Sequence, residues 1–396
     1  MGDGVRHIGV AERRARLGLR HRLAGVARAK GPAEVAESLV ALHGTDPATV
    51  YLAVGARLAD PAKTVTETER ALYEERTLVR MHGMRHTVFV FPTELTAVVH
   101  ASTGLAVAAR ERALLVKDMA KAGAPDAAWL KEVEESALAA LARRGQATAA
   151  ELAQDEPRLR EQFVYAAGKS YEGVHTVATR LLRVLGVEGK VVRGRPLGSW
   201  TSSQFRWAVA PAHPELDVAD AQAELLRRWL AVCGPATEAD LKWWTGWRVT
   251  EVRRALTAIA ARAVSLDEGT GYVLDGDVDP VAGPEEPWAA LLPGLDPTAM
   301  GWQQRDWYLP PELRPSLFDR SGNVGPTVWW NGRVVGAWAQ RPDGEIAWRL
   351  LADLEQAERD TAEATIAAEV ERVRGWVGPA RVTPRFRTPL ERELSR

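Results

Sequence analysis

Apolar and polar residues recur with helical spacing through most of the first two thirds of the chain, and the clearest series of elements follows Asp217. "VADAQAELLRRWLAVCG" predicts a helix that ends at Gly234, and "TEADLKWWTG" predicts a second that begins with the capping pair Thr237 and Asp240. "RVTEVRRALTAIAARA" predicts a third helix, and "AVSLDEGTGYVLDGD" alternates around a Gly-rich turn, which predicts a hairpin. Three helices and a hairpin is the order of a winged helix.

The same order is predicted twice before this point. Residues 127–145, 147–159 and 173–189 are predicted helices, and "GKVVRGRPLGSWTSSQFRWAV" is a predicted wing. Nearer the N-terminus, the hairpin segment is "TLVRMHGMRHTVFVFP", and the predicted helices lie near 11–18, 33–43, 48–58 and 66–75. The pattern therefore predicts three winged-helix units in tandem.

The pattern changes at about residue 286. Eight of the fifteen tryptophans follow, and "GPTVWWNGRVVGAWAQRPDGEIAWRLL" alternates around "NG" and "DG", which are strong hairpin signals. This segment predicts an antiparallel sheet or a small barrel with the tryptophans in its core, followed by a helix over 354–376. We expect an α+β fold, mostly α, with a C-terminal Trp-rich antiparallel β-barrel or sheet. Its predicted domains are 1–125, 126–215, 216–285 and 286–396.

Composition narrows the class of protein. The chain is 46% apolar and 26% charged, its apolar runs are too short for a membrane helix, and its first residues lack a signal-peptide core. We therefore expect a cytoplasmic protein without a membrane partner. The single Cys233 excludes an internal disulfide and is expected in the core.

Net charge is −1, but residues 5–30 carry eight basic residues against one Glu, and residues 190–214 carry four basic residues and no acid. Each stretch either meets phosphates or forms a solvated face.

Several motifs are absent from the sequence. It contains no Walker A loop, no dinucleotide fingerprint after a predicted strand, no H-E-x-x-H, no Cys/His cluster and no G-x-S-x-G. His82 and His86 are four residues apart, but in a predicted hairpin this spacing gives no shared face. We expect no cofactor and no metal, which leaves a DNA- or ligand-binding protein or a metal-free hydrolase.

One stretch, "VALHGTDPATVYLAVGARL", begins like a buried helix and then turns polar at His43, Thr45 and Asp46. Thr45 or Asp46 can be the N-cap of a following helix with Pro47 at its first position, and His43 can bond within the helix junction. Alternatively, the three side chains perform chemistry. The residues alone leave both interpretations open.

Six segments resemble those of the AlkZ/YcaQ-like winged-helix DNA glycosylases and occur in the order typical of that family. They are "ALHGTDPATVYLAVGARL", "LVRMHGMRHTVFVFP", "GSWTSSQFRW", "LDPTAMGWQQRDWYL", "FDRSGNVGPTVWW" and "RVTPRF". The resemblance covers nearly the whole chain and implies excision of bulky N-alkylated purines from double-stranded DNA. The family's motif is Q-x-Q or Q-x-D, and the matching positions here are His43 and Thr45, a His-x-Thr form found in one branch. Asp46 supplies a carboxylate displaced by one position.

The resemblance implies catalytic roles for these three residues. An N7-alkylated guanine is already cationic, so the enzyme need only position a water and tolerate an oxocarbenium-like sugar. Neutral His43 can hold or deprotonate the water, the Thr45 hydroxyl can be its second ligand, and Asp46 can lie near the sugar cation. With no lysine nearby in sequence, a monofunctional glycosylase is expected.

DNA contacts are expected on the wings and hairpins, where hydroxyl and arginine side chains are typical phosphate ligands. The alternative for each is an ordinary polar loop. The predicted DNA-binding residues are Arg85, His86, Thr87, Arg193, Arg195, Thr201, Ser202, Ser203, Gln204 and Arg206.

Three functions remain open from the sequence. The first is a metal-free DNA glycosylase for N7-alkylguanine adducts, in DNA repair or in self-resistance to a genotoxic natural product. The second is a non-catalytic winged-helix DNA-binding protein or transcriptional regulator. The third is a protein that sequesters a DNA-damaging ligand in its Trp-rich segment. Three tandem units and the lack of a dimerisation heptad favour a monomer.

Overall fold

A computed structural model describes residues 5–121, 126–166, 168–169 and 172–396. The expected boundary between the first two domains, at residue 125, lies outside the described residues. The fold is a mixture of helices and antiparallel sheets, with more helix than strand. No helix within the described ranges is both long and apolar enough to cross a bilayer.

The N-terminal part forms helices around a three-stranded antiparallel sheet of order β1-β3-β2. Its elements are α1 (Val10–Arg20), α2 (Pro32–Glu37), β1 (Leu42–His43), α3 (Pro47–Gly55), α4 (Thr64–Glu69), β2 (Leu78–His82), β3 (Val88–Pro92), α5 (Thr96–Val99) and α6 (Leu105–Lys121). A π-helical turn, His100–Gly104, joins α5 to α6.

The predicted helix over 33–43 is wrong in its second half. Helix α2 ends at Glu37, and Val40 adopts a left-handed backbone with φ of 64°, which no α-helix accommodates. Leu42 and His43 then pair with Val90 and Phe89 as strand β1. His43 therefore lies on a sheet edge and not in a helix.

The second part, up to Val209, has a sheet of order β4-β8-β7 and a separate hairpin of β5 and β6. Its elements are α7 (Ala127–Arg144), β4 (Gln146–Ala147), α8 (Ala149–Asp155), β5 (Gln162–Tyr165), β6 (Gly173–Thr176), α9 (Val177–Val187), β7 (Val191–Pro196) and β8 (Phe205–Val209). Thr148 and Glu151 form the capping box of α8. The prediction that helix begins at residue 173 is wrong, because β6 pairs with β5 and Thr176 caps α9 only after it.

The third part follows the predicted order closely, with a sheet of order β10-β11-β9. Its elements are α10 (Val218–Cys233), β9 (Ala236–Thr237), α11 (Glu238–Thr245), α12 (Val249–Ala258), β10 (Arg262–Leu266) and β11 (Gly269–Val273). The predicted capping box of Thr237 and Asp240 is confirmed, and Gly246 ends α11 in the left-handed conformation at φ of 75°. Cys233 is buried, as expected.

The C-terminal part contains an open antiparallel sheet of order β12-β13-β14-β15. Its elements are β12 (Ala289–Leu292), α13 (Arg314–Leu317), β13 (Thr327–Trp330), β14 (Arg333–Gln340), β15 (Ile346–Leu350), α14 (Gln356–Val377) and α15 (Pro389–Leu394). The sequence predicted an antiparallel sheet or a small barrel. The sheet is confirmed, and its strands do not close into a barrel within the described residues. Most tryptophans here are buried, which confirms the expected core: Trp288, Trp302, Trp307, Trp329, Trp330 and Trp338.

The hydrophobic cores show which parts belong together. One core joins residues of the first, third and C-terminal parts, a second joins the first and C-terminal parts and includes Trp200, and a third lies within residues 115–207. The fully buried pair Arg57 and Asp296 reinforces the first junction through two hydrogen bonds of 2.9 and 2.7 Å. The second part thus packs on a body built from the other three.

Three arginines of the basic N-terminal stretch form ion pairs with the third part. Arg13 is paired with Glu268, and both Arg16 and Arg20 are paired with Asp277. These arginines hold α1 against the third part, so the option that this stretch meets phosphates is wrong for them.

Candidate functional site

His43 is held at the edge of the first sheet. Its backbone pairs with Phe89, and the two rings meet edge-on with centroids 5.4 Å apart. The next residue is Gly44, where a Cβ atom would lie 3.1 Å from the carbonyl carbon of Phe89. A residue without a side chain therefore lets the backbone pass close to β3 at this point. The Nδ1 atom of His43 is buried without a hydrogen-bond partner among the described residues. Burial, and then the charge of Arg85, lower the pKa of His43 to about 4, so the imidazole is neutral at neutral pH.

Two clefts meet at His43. One has a volume of about 630 Å³ and the other about 650 Å³, and we name them the Trp243 cleft and the Arg183 cleft after residues that line only one of them. Five residues line both clefts: His43, Thr87, Leu295, Ser321 and Asn323. Thr45 lines the Arg183 cleft. The His-x-Thr motif is therefore positioned at the junction of two substantial openings.

The Trp243 cleft is built from cations and aromatic rings. The guanidinium of Arg85 lies 4.2 Å from the ring centroid of Trp243, and that of Arg305 lies 5.2 Å from the same ring. Arg305 also contacts the ring of Phe318 at 5.5 Å. Burial, together with the charge of Arg305, lowers the pKa of Arg85. The tryptophan thus spaces two positive charges along one wall.

The Arg183 cleft lies between the first sheet, α9, the hairpin of β7 and β8, and the C-terminal tail. The side chain of Arg193 lies over Phe205 at 4.5 Å, and Arg183 approaches Nδ1 of His86 at 3.2 Å. Burial, and then the charge of Arg80, lower the pKa of Arg193 to about 10. Arg385 and Phe386 supply the wall from the tail.

The charge of the two clefts has one sign. Arginines on the walls are Arg85, Arg305, Arg314, Arg183, Arg193 and Arg385. Among the described residues that line either cleft, there is no Asp, Glu or Lys. Such a surface favours a polyanion and offers neither a carboxylate nor an amine to a reacting sugar.

Asp46 has a structural role in this arrangement. It is only 8% exposed, and its Oδ1 atom accepts a hydrogen bond of 3.2 Å from the backbone N–H of Ala48 as the N-cap of α3. Its Oδ2 atom accepts a hydrogen bond of 3.0 Å from the backbone N–H of Arg385. Asp46 lines a separate cavity of about 10 Å³ beside Thr49 and Pro384. The capping interpretation of this position fits the geometry.

The structure brings part of the predicted DNA-binding set together. Arg85, His86, Thr87 and Arg193 line the clefts. Arg195 instead pairs with Glu69 and Glu74, and Arg206 pairs with Glu151. Thr201, Ser202, Ser203 and Gln204 form the turn between β7 and β8, where Ser202 accepts a hydrogen bond from the backbone N–H of Gln204 at 3.2 Å.

That turn is anchored to the rest of the protein by Trp200. This side chain is 8% exposed, and its ring centroid lies 5.2 Å from Tyr51 and 5.9 Å from Trp376. The hairpin of β7 and β8 is therefore docked on α3 and α14.

Sequence reasoning missed several residues of the clefts. Thr179 and Arg183 lie on α9, whose apolar periodicity gave no sign of a site. Ser321 and Asn323 are positioned by Asp319, whose Oδ1 atom accepts hydrogen bonds from their backbone N–H groups at 2.8 and 2.9 Å. The usable signal was the polar, Gly-containing stretch "FDRSGN" beside a predicted strand.

Within the described residues, no group of three or more His, Cys, Asp or Glu side chains is placed to hold a metal ion. The expectation that His82 and His86 share no face is wrong, because the left-handed turn at Arg85 and His86 brings their ring centroids to 5.5 Å on the wall of the Arg183 cleft.

The fold and the sequence were compared with those of known proteins. The chain is similar in structure to the DNA glycosylase AlkZ of Streptomyces sahachiroi, with a TM-score of 0.70, 19% sequence identity, and coverage of 93% of this chain and 97% of that one. At this identity the likeness establishes the fold. No curated protein matches the chain in sequence. The family model for DNA glycosylase AlkZ-like proteins matches residues 36–376, and the chain therefore belongs to the AlkZ-like DNA glycosylase family.

Proposed function

We propose that this protein is a monofunctional DNA glycosylase that hydrolyses the bond between N9 of an N7-alkylated purine and C1′ of its deoxyribose. The observation that carries this proposal is the position of His43. It is neutral at neutral pH and lines both arginine-lined clefts at the place where they meet. The biological role we propose is DNA repair or self-resistance to a genotoxic natural product.

The chemistry of the clefts supports a cationic leaving group. Water attacks C1′, the C1′–N9 bond breaks, its electron pair neutralises the purine cation, and the water's proton leaves to a base. Since no described residue that lines the clefts is a carboxylic acid, protonation of a neutral purine by Asp or Glu has no candidate here. A purine that is already positively charged needs no such proton.

His43 and Thr45 are the proposed catalytic residues. The unprotonated nitrogen of His43 accepts a hydrogen bond or the proton from the attacking water, and the Thr45 hydroxyl is the water's second ligand. Asp46, the third residue of the expected set, supports the site by holding the tail at Arg385. The absence of lysine among the described cleft residues supports hydrolysis without a Schiff base.

The two clefts support a bulky substrate. A nucleotide with a bulky N7 adduct needs space for the modified base on one side of the scissile bond and for the DNA backbone on the other. The clefts beside His43 provide volumes of about 630 Å³ and about 650 Å³. We therefore propose that the adduct and the DNA backbone divide between the two clefts.

The topology supports three winged-helix units. Each of the first three parts has a short strand, helices and a hairpin, and in each sheet the last strand lies between the other two. We propose the units as 1–125, 126–215 and 216–285, with 286–396 as the C-terminal β domain. A single chain of this kind can contact a long stretch of duplex as a monomer.

The test is base excision from duplex DNA that carries either N7-methylguanine or a bulky N7-guanine adduct, with hot alkali to reveal abasic sites. We expect His43→Ala and Thr45→Ala to lose excision by at least about 100-fold while they still bind DNA. His7→Ala is the matched control, since that side chain is 55% exposed and lies beside Asp267, outside the clefts. Wild-type excision in both site variants would refute the catalytic assignment. DNA binding by the wild type without excision of either substrate would favour a non-catalytic DNA-binding protein.

A further inference from the structure

A third cavity lies between the first and second parts. It has a volume of about 570 Å³ and is enclosed by β2, the start of α5, β7 and residues 210–214. We name it the Arg80 cavity. Arg193 is the one described residue that it shares with the Arg183 cleft, and it shares none with the Trp243 cleft. It is therefore a separate compartment that meets the proposed DNA surface at a single side chain.

The walls of the Arg80 cavity are largely apolar. Apolar residues from β2, α5, β7 and two neighbouring turns contribute to it: Leu72, Val79, Met81, Ala97, Val191 and Pro211. A cavity of this size and lining is typical of small-molecule sites rather than of surfaces that track a nucleic-acid backbone.

The polar content of the cavity is cationic and partly unpaired. Arg80 is only 4% exposed, and its Nε and Nη2 atoms have no hydrogen-bond partner among the described residues. The Nε atom of Arg193 is likewise buried and unpartnered. No described carboxylate lies within 4 Å of either guanidinium, whereas Arg195 in the same wall is satisfied by Glu69 and Glu74. Glu94, the acidic residue in the lining, is exposed.

A buried guanidinium without a counter-ion is costly, and proteins ordinarily pair it. Arg80 adds to the cost at Arg193, because burial and then the charge of Arg80 lower the pKa of Arg193. An anion bound in the cavity would supply the missing counter-charge, and the apolar walls would bury the rest of its body.

We propose that the Arg80 cavity binds a small organic monoanion, an apolar body with one carboxylate or sulfonate group, with Arg80 as the partner of the anionic group. This site is independent of the proposed excision reaction. Its apolar walls disfavour inorganic phosphate or a DNA phosphate, because neither carries an apolar body that would fill the cavity.

The test uses a pair of fluorescent probes that differ in charge. 8-Anilinonaphthalene-1-sulfonate is an apolar monoanion, and N-phenyl-1-naphthylamine is its neutral counterpart. Both are titrated into the full-length protein with an excess of unmodified duplex present, which occupies the arginine-lined clefts. We expect Arg80→Met to weaken binding of the anion by about 10- to 100-fold and to change binding of the neutral probe by less than about threefold.

Two further variants keep the test decisive. Ala97→Trp fills the cavity and should abolish binding of both probes, whereas Arg349→Met, on an exposed arginine paired with Glu393, should change neither. Urea unfolding without ligand should give Arg80→Met a midpoint equal to or above that of the wild type, because an unpaired buried charge has been removed. Anion affinity that is unchanged in Arg80→Met, or binding that the duplex abolishes, would overturn the proposal. A lower urea midpoint with unchanged anion affinity would instead assign Arg80 a structural role.

Discussion

The carboxylate of Asp46 binds two backbone N–H groups that are far apart in sequence. Oδ1 accepts from Ala48 in the first turn of α3, and Oδ2 accepts from Arg385, which lies 339 residues further along the chain. Arg385 and Phe386 form part of the Arg183 cleft. One carboxylate therefore starts a helix beside His43 and also holds the tail that completes the opposite wall.

We expect Asp46→Ala to lower the free energy of unfolding by about 2–3 kcal/mol, since it removes an N-cap and a charge-assisted hydrogen bond to the tail. Asp46→Asn keeps an oxygen for the cap and should lose about half as much. Urea unfolding measures the stability of both variants. Excision should fall more in Asp46→Ala than in Asp46→Asn, because the tail that forms part of the cleft wall is held less well. Wild-type stability with abolished excision in Asp46→Ala would contradict the capping role and assign Asp46 to the chemistry.

Local signals in the sequence predicted much of the fold. The capping box at Thr237 and the alternation around the Trp-rich strands depend on neighbours in sequence, and both are confirmed. The helix expected through His43 failed because the left-handed turn at Val40 and the pairing of His43 with Phe89 depend on a strand 46 residues away. A tertiary contact there overrides local propensity.

The clefts were harder to predict than the elements. Arg183 comes from α9, Asn323 from a turn that Asp319 holds, and Phe386 from the C-terminal tail. In the sequence, each of these segments has the pattern of an ordinary helix, loop or terminal segment. Conversely, Arg195 and Arg206 look like phosphate ligands in sequence but are paired with glutamates of α4 and α8 or their adjoining turns. Pairing across elements is not encoded by spacing along one element.

Arg183 should contribute to DNA affinity through its charge. It lines a cleft that has no described acid in its lining, and it contacts the uncharged ring of His86, so its positive charge is available to a phosphate. We expect Arg183→Gln to weaken binding of an unmodified duplex and to reduce the slope of log K against log salt by about 0.9, the release of one counterion. Fluorescence anisotropy over a series of salt concentrations measures this slope. Arg349→Gln is the matched control on a distant exposed ion pair, and an equal change in both variants would argue against a specific phosphate contact.

Buried histidines should make the fold sensitive to acid. Burial is the largest cause that lowers the pKa of His21 and of His82 to about 3, with arginine charges next. Between pH 6.5 and that value the unfolded chain binds a proton that the folded chain does not, so stability is full above pH 6.5 and declines as the pH falls. Each histidine should contribute up to roughly 1.4 kcal/mol per pH unit to this decline.

Urea unfolding at pH 7, 6, 5 and 4.5 tests this expectation. His82→Gln should give a shallower dependence of the free energy of unfolding on pH than the wild type, whereas His7→Gln, on an exposed side chain, should follow the wild type. A flat profile for the wild type, or equal slopes in wild type and His82→Gln, would show that His82 is not held neutral by burial.

The position of the hairpin of β7 and β8 should depend on Trp200. Its ring contacts Tyr51 of α3 and Trp376 of α14, while the flanking turn carries Thr201 to Gln204. We expect Trp200→Ala to reduce stability by about 3–4 kcal/mol and to weaken DNA binding, because the turn loses its anchor. Trp200→Phe keeps an aromatic contact and should retain most of both properties. If the turn between β7 and β8 were an independent polar loop, Trp200→Ala would leave DNA affinity equal to that of the wild type at a temperature where both remain folded. Affinity measured beside a thermal unfolding curve therefore decides whether the docked hairpin belongs to the DNA-binding surface.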